Sequence, residues 1–334
     1  MVRVGVLGAG FMGGMHARCY AALSDVEVAK VYARTAERAE PLASELGTTW
    51  TDNLEDILND DTIDAVSVCL PTPQHPDATE KLLEHGKHVL VEKPIAGSEE
   101  EGQRIVDAAE RSDRVVMAGH VIRFWPEYVE LQRIVAQGQL GTPLSGFASR
   151  RSPLPAWSDM FLNASITGGA VIDLQVHDLD ILNWIFGTPK TVFAGGIQSP
   201  KTGGWDHGLI TVGYGRATAT AEGSMMMPDS YPFSSALRVL CEDGCIEYNF
   251  QAGGRSVEMG SSPDSGLVLY PAKGDPEPLS AAQEDPYQAQ ITYFVECVRN
   301  GSKPERATPE QGLQAIRVAL AARESMQTGN CVNL

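Results

Sequence analysis

Short apolar runs alternate with amphipathic stretches over the first 119 residues of the chain. The apolar runs are four to seven residues long and rich in valine, which is typical of buried strands. The stretches between them have helical spacing, and Ser98 precedes Glu101 by three residues, as in a helix-capping pair. Such alternation predicts right-handed βαβ units and a mostly parallel, doubly wound sheet. The predicted strands are Arg3–Leu7, Val26–Tyr32, Ala65–Cys69, His88–Val91 and Val115–Ala118, and the predicted helices are Met12–Leu23, Thr35–Leu46, Asp56–Leu58, Pro76–His85 and Ser98–Ser112.

The pattern changes after Gly119, where strand-like runs follow one another with glycine-rich turns between them. Such a series indicates an antiparallel sheet. A long loop is predicted over Arg150–Thr167, and a long apolar helix over Gly169–Phe186. The predicted fold is therefore an α/β domain over residues 1–119 and an α+β domain over residues 120–334. The predicted strands of the second domain are Leu144–Arg151, Thr191–Ile197, Leu209–Tyr214, Ala217–Ser224, Ala236–Cys241, Cys245–Phe250, Ser256–Met259 and Leu267–Tyr270, and its other helices are Pro126–Gln137, Tyr287–Asn300 and Pro309–Thr328.

A glycine-rich turn, Gly8-Ala9-Gly10-Phe11-Met12-Gly13, joins the first predicted strand to the first predicted helix. Between a strand and a helix, the spacing G-x-G-x-x-G is the fingerprint of a dinucleotide-binding turn. The first glycine permits the tight turn, the second lets the backbone approach a pyrophosphate, and the third lets helix pack on strand. The alternative is a glycine-rich turn that binds nothing. The predicted cofactor-binding residues of this turn are Gly8, Gly10, Phe11, Met12 and Gly13.

The residues after the second predicted strand bear on the choice between NAD and NADP. NAD-binding chains usually place an acidic residue there, which binds the ribose 2′-hydroxyl. This chain has Ala33 and Arg34 instead, with Arg38 one helical turn further on. Guanidinium groups bind phosphate well, so the sequence favours NADP over NAD. The alternative is that both arginines are solvated and that NAD binds without the acid.

Glu92-Lys93-Pro94 follows the buried run His88–Val91. Open parallel sheets bind ligands just outside the carboxyl ends of their strands, which is where Lys93 is expected. Pro94 disfavours the α conformation at Lys93 and so restricts its direction. By itself this motif also fits a surface lysine at the end of a strand.

Three of the titratable residues in the predicted helix over Gly169–Phe186 have a spacing that brings them to one face. Asp173, His177 and Asp180 stand at positions i, i+4 and i+7, which share one face of a helix. Buried carboxylates are costly unless they are paired, so this face predicts a lined cavity. His177 is the natural proton acceptor near neutral pH, and Asp173 is expected to orient its ring or bind a hydroxyl. A structural polar cluster is one alternative; a metal site is not expected, because no H-E-x-x-H or paired-cysteine motif supplies further ligands.

Composition and charge limit which binding partners and which cell compartment are expected. The net charge of −17 and the pI near 4.8 argue against nucleic acid and anionic membranes as partners. No apolar run reaches the length of a membrane span, and the N-terminus leads directly into a strand, so we expect a cytoplasmic protein. The six cysteines are scattered, and the two closest, Cys241 and Cys245, flank a predicted hairpin turn; they are expected to be reduced.

Taken together and in order, five motifs resemble the glucose–fructose oxidoreductase / inositol dehydrogenase (Gfo/Idh/MocA) family over essentially the whole chain. They are Gly8-x-Gly10-x-x-Gly13, Cys69-Leu70-Pro71-Thr72-Pro73-Gln74-His75, Glu92-Lys93-Pro94, Arg123-Phe124-x-Pro126 and Gly168-Gly169-Ala170-Val171-Ile172-Asp173-x-x-x-His177-x-x-Asp180. The missing acid after the second strand departs from the NAD-binding pattern, and family members that lack it often use NADP.

The resemblance implies a dinucleotide-binding Rossmann domain, followed by a substrate-binding α+β domain with an open, mostly antiparallel sheet. One face of that sheet often forms the subunit interface, so a homodimer or homotetramer is expected. The family's catalytic lysine, aspartate and histidine map to Lys93, Asp173 and His177. The resemblance places further residues at the cofactor, namely Leu70, Pro71, Thr72, His75, Glu92 and Lys93. Arg123 and Trp157 are expected to contact the substrate together with Lys93, Asp173 and His177.

The family's usual chemistry is hydride transfer between a nicotinamide cofactor and a secondary hydroxyl or ketone of a sugar, inositol or related polyol. We expect Lys93 to hold the substrate oxygen and His177 to act as general acid and base. Arg150 and Arg151 are expected to be mainly solvated, in a loop that sets specificity. The alternatives are a glycosidase that uses bound NAD as a redox relay, a non-catalytic NAD(P)-binding sensor and an amino-acid or imine reductase.

Overall fold

The computed structural model describes residues 1–156, 158–254, 262 and 265–334, so Trp157 and the predicted strand Ser256–Met259 lie outside the described residues. The strands are β1 (Val2–Leu7), β2 (Val26–Tyr32), β3 (Thr49–Thr51), β4 (Ala65–Val68), β5 (His88–Glu92), β6 (Val116–Gly119), β7 (Pro143–Arg151), β8 (Thr191–Gln198), β9 (Trp205–Gly213), β10 (Thr218–Ser224), β11 (Ser234–Cys241), β12 (Gly244–Gln251), β13 (Gly266–Pro271), β14 (Glu277–Leu279) and β15 (Val332–Asn333). The α-helices are α1 (Phe11–Ala21), α2 (Ala36–Leu46), α3 (Glu55–Leu58), α4 (His75–Glu84), α5 (Glu99–Arg111), α6 (Pro126–Ala136), α7 (Ala164–Thr167), α8 (Ala170–Asp173), α9 (Val176–Phe186), α10 (Pro286–Asn300) and α11 (Pro309–Thr328). Short 3₁₀ helices cover Thr72–Gln74, Val121–Phe124 and Asp159–Leu162.

The described chain divides into two units, each built from two segments. The first contains Met1–Phe124 and Glu284–Leu313, and the second contains Trp125–Gln283 and Gln314–Leu334. The sequence-based division at residue 119 therefore misplaces α10, which packs in the core of the first unit through Ile291 and Phe294. A boundary drawn from local pattern cannot show that a late helix covers an early sheet.

The first unit is the predicted doubly wound sheet. Its six strands are parallel, in the order β3-β2-β1-β4-β5-β6. The order reverses between β1 and β4, and ligands of such sheets bind beside that point, at the carboxyl ends of the strands. Apolar side chains fill both faces, with Val4, Val6 and Leu90 in one core and Val66 and Val89 in the other. The predicted cap of α5 is confirmed, since the Ser98 hydroxyl accepts a hydrogen bond of 3.2 Å from the Glu101 backbone N–H.

The second unit contains a nine-stranded sheet in the order β14-β13-β12-β11-β7-β10-β9-β8-β15. Neighbouring strands are antiparallel except β7 and β10, which pair in parallel, so the prediction of a mostly antiparallel sheet is confirmed. The short strands β14 and β15 escaped prediction because two or three residues are too few for a pattern. The hairpin between Cys241 and Cys245 is confirmed, and both cysteines are free thiols.

The predicted single helix over Gly169–Phe186 is wrong, because the structure contains two helices, α8 and α9, separated at Leu174 and Gln175. Gln175 is fully buried, and its Nε2 donates to backbone carbonyls of β9 and β10. At the break, the Gln175 side chain points into the sheet. The apolar sequence around Gln175 gives no indication of a break. The predicted loop over Arg150–Thr167 also contains α7 and a 3₁₀ turn.

Among the helices of the described residues, none is both long enough and apolar enough to cross a membrane.

Candidate active site

Each glycine of the cradle Gly8–Gly13 meets a different steric requirement. Gly8 follows β1 with a φ of 107°, and a β-carbon there would lie 2.5 Å from the Cys69 carbonyl oxygen. A β-carbon on Gly13 would lie 1.8 Å from the Gly8 carbonyl oxygen, so helix and turn pack without room for a side chain. Above Gly10 no protein atom lies within 4 Å of such a carbon. The cradle is thus in close contact with the protein at Gly8 and Gly13, and open at Gly10.

The N-terminus of α1 continues this open surface. Gly10 stands at the N-cap, where no side chain supplies a capping hydrogen bond, and the first turn carries no acidic residue. The first backbone N–H groups of a helix lack partners within the helix and carry partial positive charge. An anionic pyrophosphate fits this end of the helix.

The region after β2 carries exposed positive charge. Ala33 is buried and its N–H donates to the Thr51 carbonyl oxygen over 3.1 Å, which leads the chain past the end of the strand. Arg34 and Arg38 are exposed, and neither forms an ion pair with any described residue. Among the described residues, therefore, no carboxylate neutralises either guanidinium group.

Lys93 follows β5, and the Lys93–Pro94 peptide bond is cis. The backbone N–H of Lys93 donates to Oε2 of Glu92 over 3.0 Å, and the Glu92 side chain is buried. The buried carboxylate therefore holds the backbone of the residue that carries the ammonium group.

A second residue holds that carboxylate, and sequence analysis missed it. Nε2 of His16, on α1, lies 3.0 Å from Oε1 of Glu92, and His16 is fully buried. Its Nδ1 lies 3.1 Å from the Ser67 hydroxyl, which also contacts the Tyr20 hydroxyl at 2.9 Å. The available signal was a histidine three residues after Gly13, on the helix face that also carries Tyr20.

The pKa values of this cluster favour an ion pair. Burial opposes the charged form of His16, but the sulfur of Cys69 and the carboxylate of Glu92 outweigh it and raise its pKa to about 10. Burial likewise opposes the Glu92 carboxylate, yet its contact with His16 lowers the pKa of Glu92 below the ordinary value. At neutral pH, therefore, the pair consists of an imidazolium and a carboxylate.

The loop after β4 holds Leu70, Pro71 and Thr72 before α4 begins at His75. The His75 ring is buried, and burial lowers its pKa. Its Nε2 lies 2.7 Å from the Leu70 carbonyl oxygen and its Nδ1 lies 2.9 Å from the Pro94 carbonyl oxygen. The ring thus contacts both this loop and the turn that carries Lys93.

In the second unit, the residues expected on one helix face belong to two consecutive helices, α8 and α9. Asp173 ends α8 and His177 stands in the first turn of α9, and both are partly exposed. Asp180 is buried, within electrostatic reach of Tyr214, whose pKa is raised first by burial and then by Asp180. Asp173 and His177 thus share partial exposure on either side of the break, whereas Asp180 is buried.

Three side chains of the second unit fix the ends of α8 and α9. The Asp206 carboxylate accepts from the N–H of Ala170 over 3.1 Å and so caps α8. Asp178, which follows His177 directly, is buried and accepts two 3.0 Å hydrogen bonds from Arg150 of β7. Sequence analysis did not identify Asp206 or Asp178, because neither stands in a recognisable motif.

Of the two arginines expected to be solvated, Arg150 and Arg151, only Arg151 is. Arg150 was predicted to be solvated but is buried; the Asp178 carboxylate outweighs the effect of burial and raises its pKa. Arg151 is partly exposed and lies 3.9 Å from Glu222. Arg123, expected at the substrate, lies buried in the 3₁₀ turn Val121–Phe124 of the first unit. Within the described residues, no group of three or more His, Cys, Asp or Glu side chains could hold a metal ion.

Comparison with known proteins gives consistent results for both units. Residues 2–120 match the oxidoreductase family with an NAD-binding Rossmann fold, GFO/IDH/MocA, and residues 128–247 match the GFO/IDH/MocA C-terminal domain. The chain is 28% identical to a scyllo-inositol 2-dehydrogenase (NAD(+)) of Bacillus subtilis, over 100% of this chain and 96% of that one. It is also 28% identical to a D-xylose 1-dehydrogenase (NADP(+)) of Haloferax volcanii, over 99% of each chain.

The fold also matches solved structures. A crystal structure of a myo-inositol dehydrogenase from Corynebacterium glutamicum has a TM-score of 0.82 at 24% identity, with 100% of this chain and 99% of that chain covered.

Proposed function

The chain belongs to the Gfo/Idh/MocA family of NAD(P)-dependent oxidoreductases, and we propose that it transfers hydride between NADP and a secondary hydroxyl or ketone of a sugar, inositol or related polyol. The anchoring of Lys93 carries this proposal, because a buried carboxylate fixes its backbone at the carboxyl end of β5. The open backbone at Gly10 and the uncapped start of α1 fit the dinucleotide. Inositol and xylose dehydrogenases among the relatives support the substrate class.

The residues have distinct roles in the proposed reaction. Lys93 donates a hydrogen bond to the substrate oxygen and stabilises its negative charge. His177 takes the proton of the hydroxyl group and returns it in the reverse direction. Asp173 orients the His177 ring or binds a neighbouring hydroxyl. The nicotinamide ring of the bound cofactor supplies the hydride acceptor.

The direct test is a panel of polyols and sugars with NAD and NADP, followed by Lys93→Met and His177→Ala with the best substrate. We expect His177→Ala to lower kcat by roughly 10²- to 10⁴-fold, the usual contribution of general acid–base catalysis. Cofactor binding, followed by fluorescence, should persist in both variants. A kcat near the wild-type value in either variant contradicts the proposal. Product formed without net cofactor reduction indicates the redox-relay glycosidase instead.

The preference for NADP rests on Arg34 and Arg38. Both are exposed and form no ion pair among the described residues, and the residues directly after β2, Ala33 and Arg34, include no carboxylate that would repel a 2′-phosphate. Replacing either with alanine should weaken NADP binding and leave NAD binding nearly unchanged. Arg133→Ala, which removes an exposed arginine of the second unit, controls for the loss of one positive charge. A lower KM and faster turnover with NAD in the wild-type protein would overturn the assignment.

We also propose that the chain forms a homodimer or homotetramer through the open face of its large sheet. Phe193, Ile197 and Leu209 point to that face from β8 and β9 and are half exposed, whereas Val192 and Ile210 point to the other face and are buried. Light scattering should give a multiple of the 35.9 kDa chain mass, and Phe193→Glu should reduce it. Leu162→Glu, at an equally exposed apolar residue outside the sheet, should not. A monomeric wild-type protein would refute this interface.

A further inference from the structure

We propose that His16 is a positioning residue for Lys93: it holds the buried Glu92 carboxylate that fixes the Lys93 backbone, and so connects the glycine cradle to the reacting lysine. This inference rests on the proposed function, in which Lys93 binds the substrate oxygen.

The two oxygens of Glu92 have separate partners on opposite sides. Oε1 lies 3.0 Å from Nε2 of His16, and Oε2 accepts the backbone N–H of Lys93 over 3.0 Å. Gly119 of β6 makes room for this carboxylate, since a β-carbon there would lie 2.8 Å from Oε1. One side chain therefore spans from α1 to the turn that carries the ammonium group.

The position of His16 is fixed on its other side as well. Its Nδ1 faces the Ser67 hydroxyl at 3.1 Å and the Cys69 sulfur at 3.6 Å, both at the end of β4. Tyr20, one turn along α1, contacts the same Ser67 hydroxyl. The titratable groups around the ring are therefore Glu92 from β5, Cys69 directly after β4, and Tyr20 from α1. With contacts at both ring nitrogens, the imidazole has little freedom to rotate.

Charge explains why a histidine serves here better than a neutral residue. A buried carboxylate without a cationic partner is strongly destabilised, so Glu92 needs a nearby positive charge. His16, charged at neutral pH, supplies this positive charge from α1. Without His16 the nearest cation would be Lys93, whose charge already acts on Glu92. Attraction between those two groups would then compete with binding of the substrate oxygen by Lys93.

The location of His16 also relates cofactor binding at the cradle to the position of Lys93. It lies three residues beyond Gly13, on the helix whose N-terminus is expected to receive the cofactor phosphates. A helix is stiff over one turn, so a shift of α1 at the cradle is carried to Glu92 and then to the Lys93 backbone.

The test compares His16→Leu, His16→Gln and the control Tyr20→Phe. Tyr20→Phe removes a hydroxyl from the same cluster but leaves the bridge between His16 and Glu92 intact. We expect His16→Leu to lower kcat on the order of 10- to 100-fold, the scale of a small misplacement of a reacting group. The dissociation constant of the cofactor should change much less than kcat, since the His16 side chain is fully buried and cannot touch a bound ligand.

The pH profile separates positioning from a merely structural role. Without its cationic partner, the pKa of Glu92 should rise, and protonated Glu92 holds the Lys93 backbone less well. The kcat of His16→Leu should therefore climb with pH where that of the wild type is flat. His16→Gln keeps a donor without the charge, so it should recover part of kcat but retain the pH dependence. It is also the variant to assay if His16→Leu does not fold.

Two results would overturn the inference. One is a kcat within twofold of wild type with an unchanged pH profile in a folded His16 variant. The other is an equal loss in Tyr20→Phe. Failure of the proposed function is a different outcome, recognised by wild-type activity in Lys93→Met. An inactive Lys93→Met variant together with fully active His16 variants would remove the inference and leave the proposed function standing.

Discussion

The side chain of Gln175 occupies the space that a β-carbon on Gly223 would need, with its Cγ only 2.0 Å from that position. Gly223 of β10 pairs across the sheet with Gly208 of β9, where a β-carbon would lie 2.7 Å from Oε1 of Gln175. The glutamine therefore fits over a pair of glycines while its Nε2 bonds to carbonyls of both strands. This contact fixes the break between α8 and α9, and with it the helix ends that carry Asp173 and His177.

Gly223→Ala should destabilise the protein, because the added methyl group overlaps a buried side chain. Overpacking of this kind costs about 1–3 kcal/mol, and denaturant unfolding would measure it. Adding Gln175→Ala should recover part of that loss, so the two changes should be non-additive. Gly97→Ala is the control, since a β-carbon there would lie 3.4 Å from the Glu101 carboxylate, an ordinary van der Waals distance. Strict additivity of the two substitutions would contradict the packing described.

Removing one member of the buried pair between Arg150 and Asp178 should be costly. Arg150→Met leaves a carboxylate buried without its partner, and such losses amount to about 3–5 kcal/mol. The same experiment should show a fall in kcat, because Asp178 holds the first turn of α9 next to His177. Arg133→Met, which breaks the exposed pair with Glu130, should leave the unfolding transition unchanged. Equal effects of the two substitutions would argue against a buried pair.

The pH dependence of stability should report the charge of His16. Its pKa is raised to about 10 in the folded protein, against about 6.5 in an unfolded chain. Its contribution is therefore complete below pH 6.5 and is lost progressively as the pH rises toward 10, with a slope of at most about 1.4 kcal/mol per pH unit. The free energy of unfolding should consequently fall more steeply between pH 7 and 10 in the wild type than in His16→Gln. Parallel curves would show that His16 is neutral.

Two glycines of the cradle should respond differently to alanine. Gly13→Ala brings a β-carbon within 1.8 Å of the Gly8 carbonyl oxygen, so it should reduce both stability and cofactor affinity. Gly10→Ala meets no protein atom within 4 Å, so the melting temperature should stay near that of the wild type. The added methyl group would nevertheless stand where the phosphates approach, and titration with cofactor should show weaker binding. Unchanged affinity in Gly10→Ala would place the cofactor elsewhere.

Local patterns in the sequence were enough to predict the alternating half of the fold. Valine-rich runs, the capping serine at Ser98 and the glycine spacing each depend on near neighbours, and the structure has them as expected. The failures depend on distant partners. The break at Gln175 requires glycines on two later strands, and the burial of Arg150 requires Asp178 opposite it. Likewise, His16 acquires its role only when Glu92 is brought beneath α1.

The first unit is built from two segments that lie far apart in the sequence, and this affects how it folds during synthesis. The apolar face that α10 covers, next to Val4 and Leu90, is formed by strands synthesised far earlier. At about 5–20 residues per second, a ribosome needs roughly ten to forty seconds to pass from β6 to the end of α10. During that interval the part of this face that α10 covers stays exposed beside α1, and exposed apolar surface is what general chaperones recognise. Production of this protein should therefore depend on chaperone supply. The folded structure does not show this dependence, because α10 covers the face there.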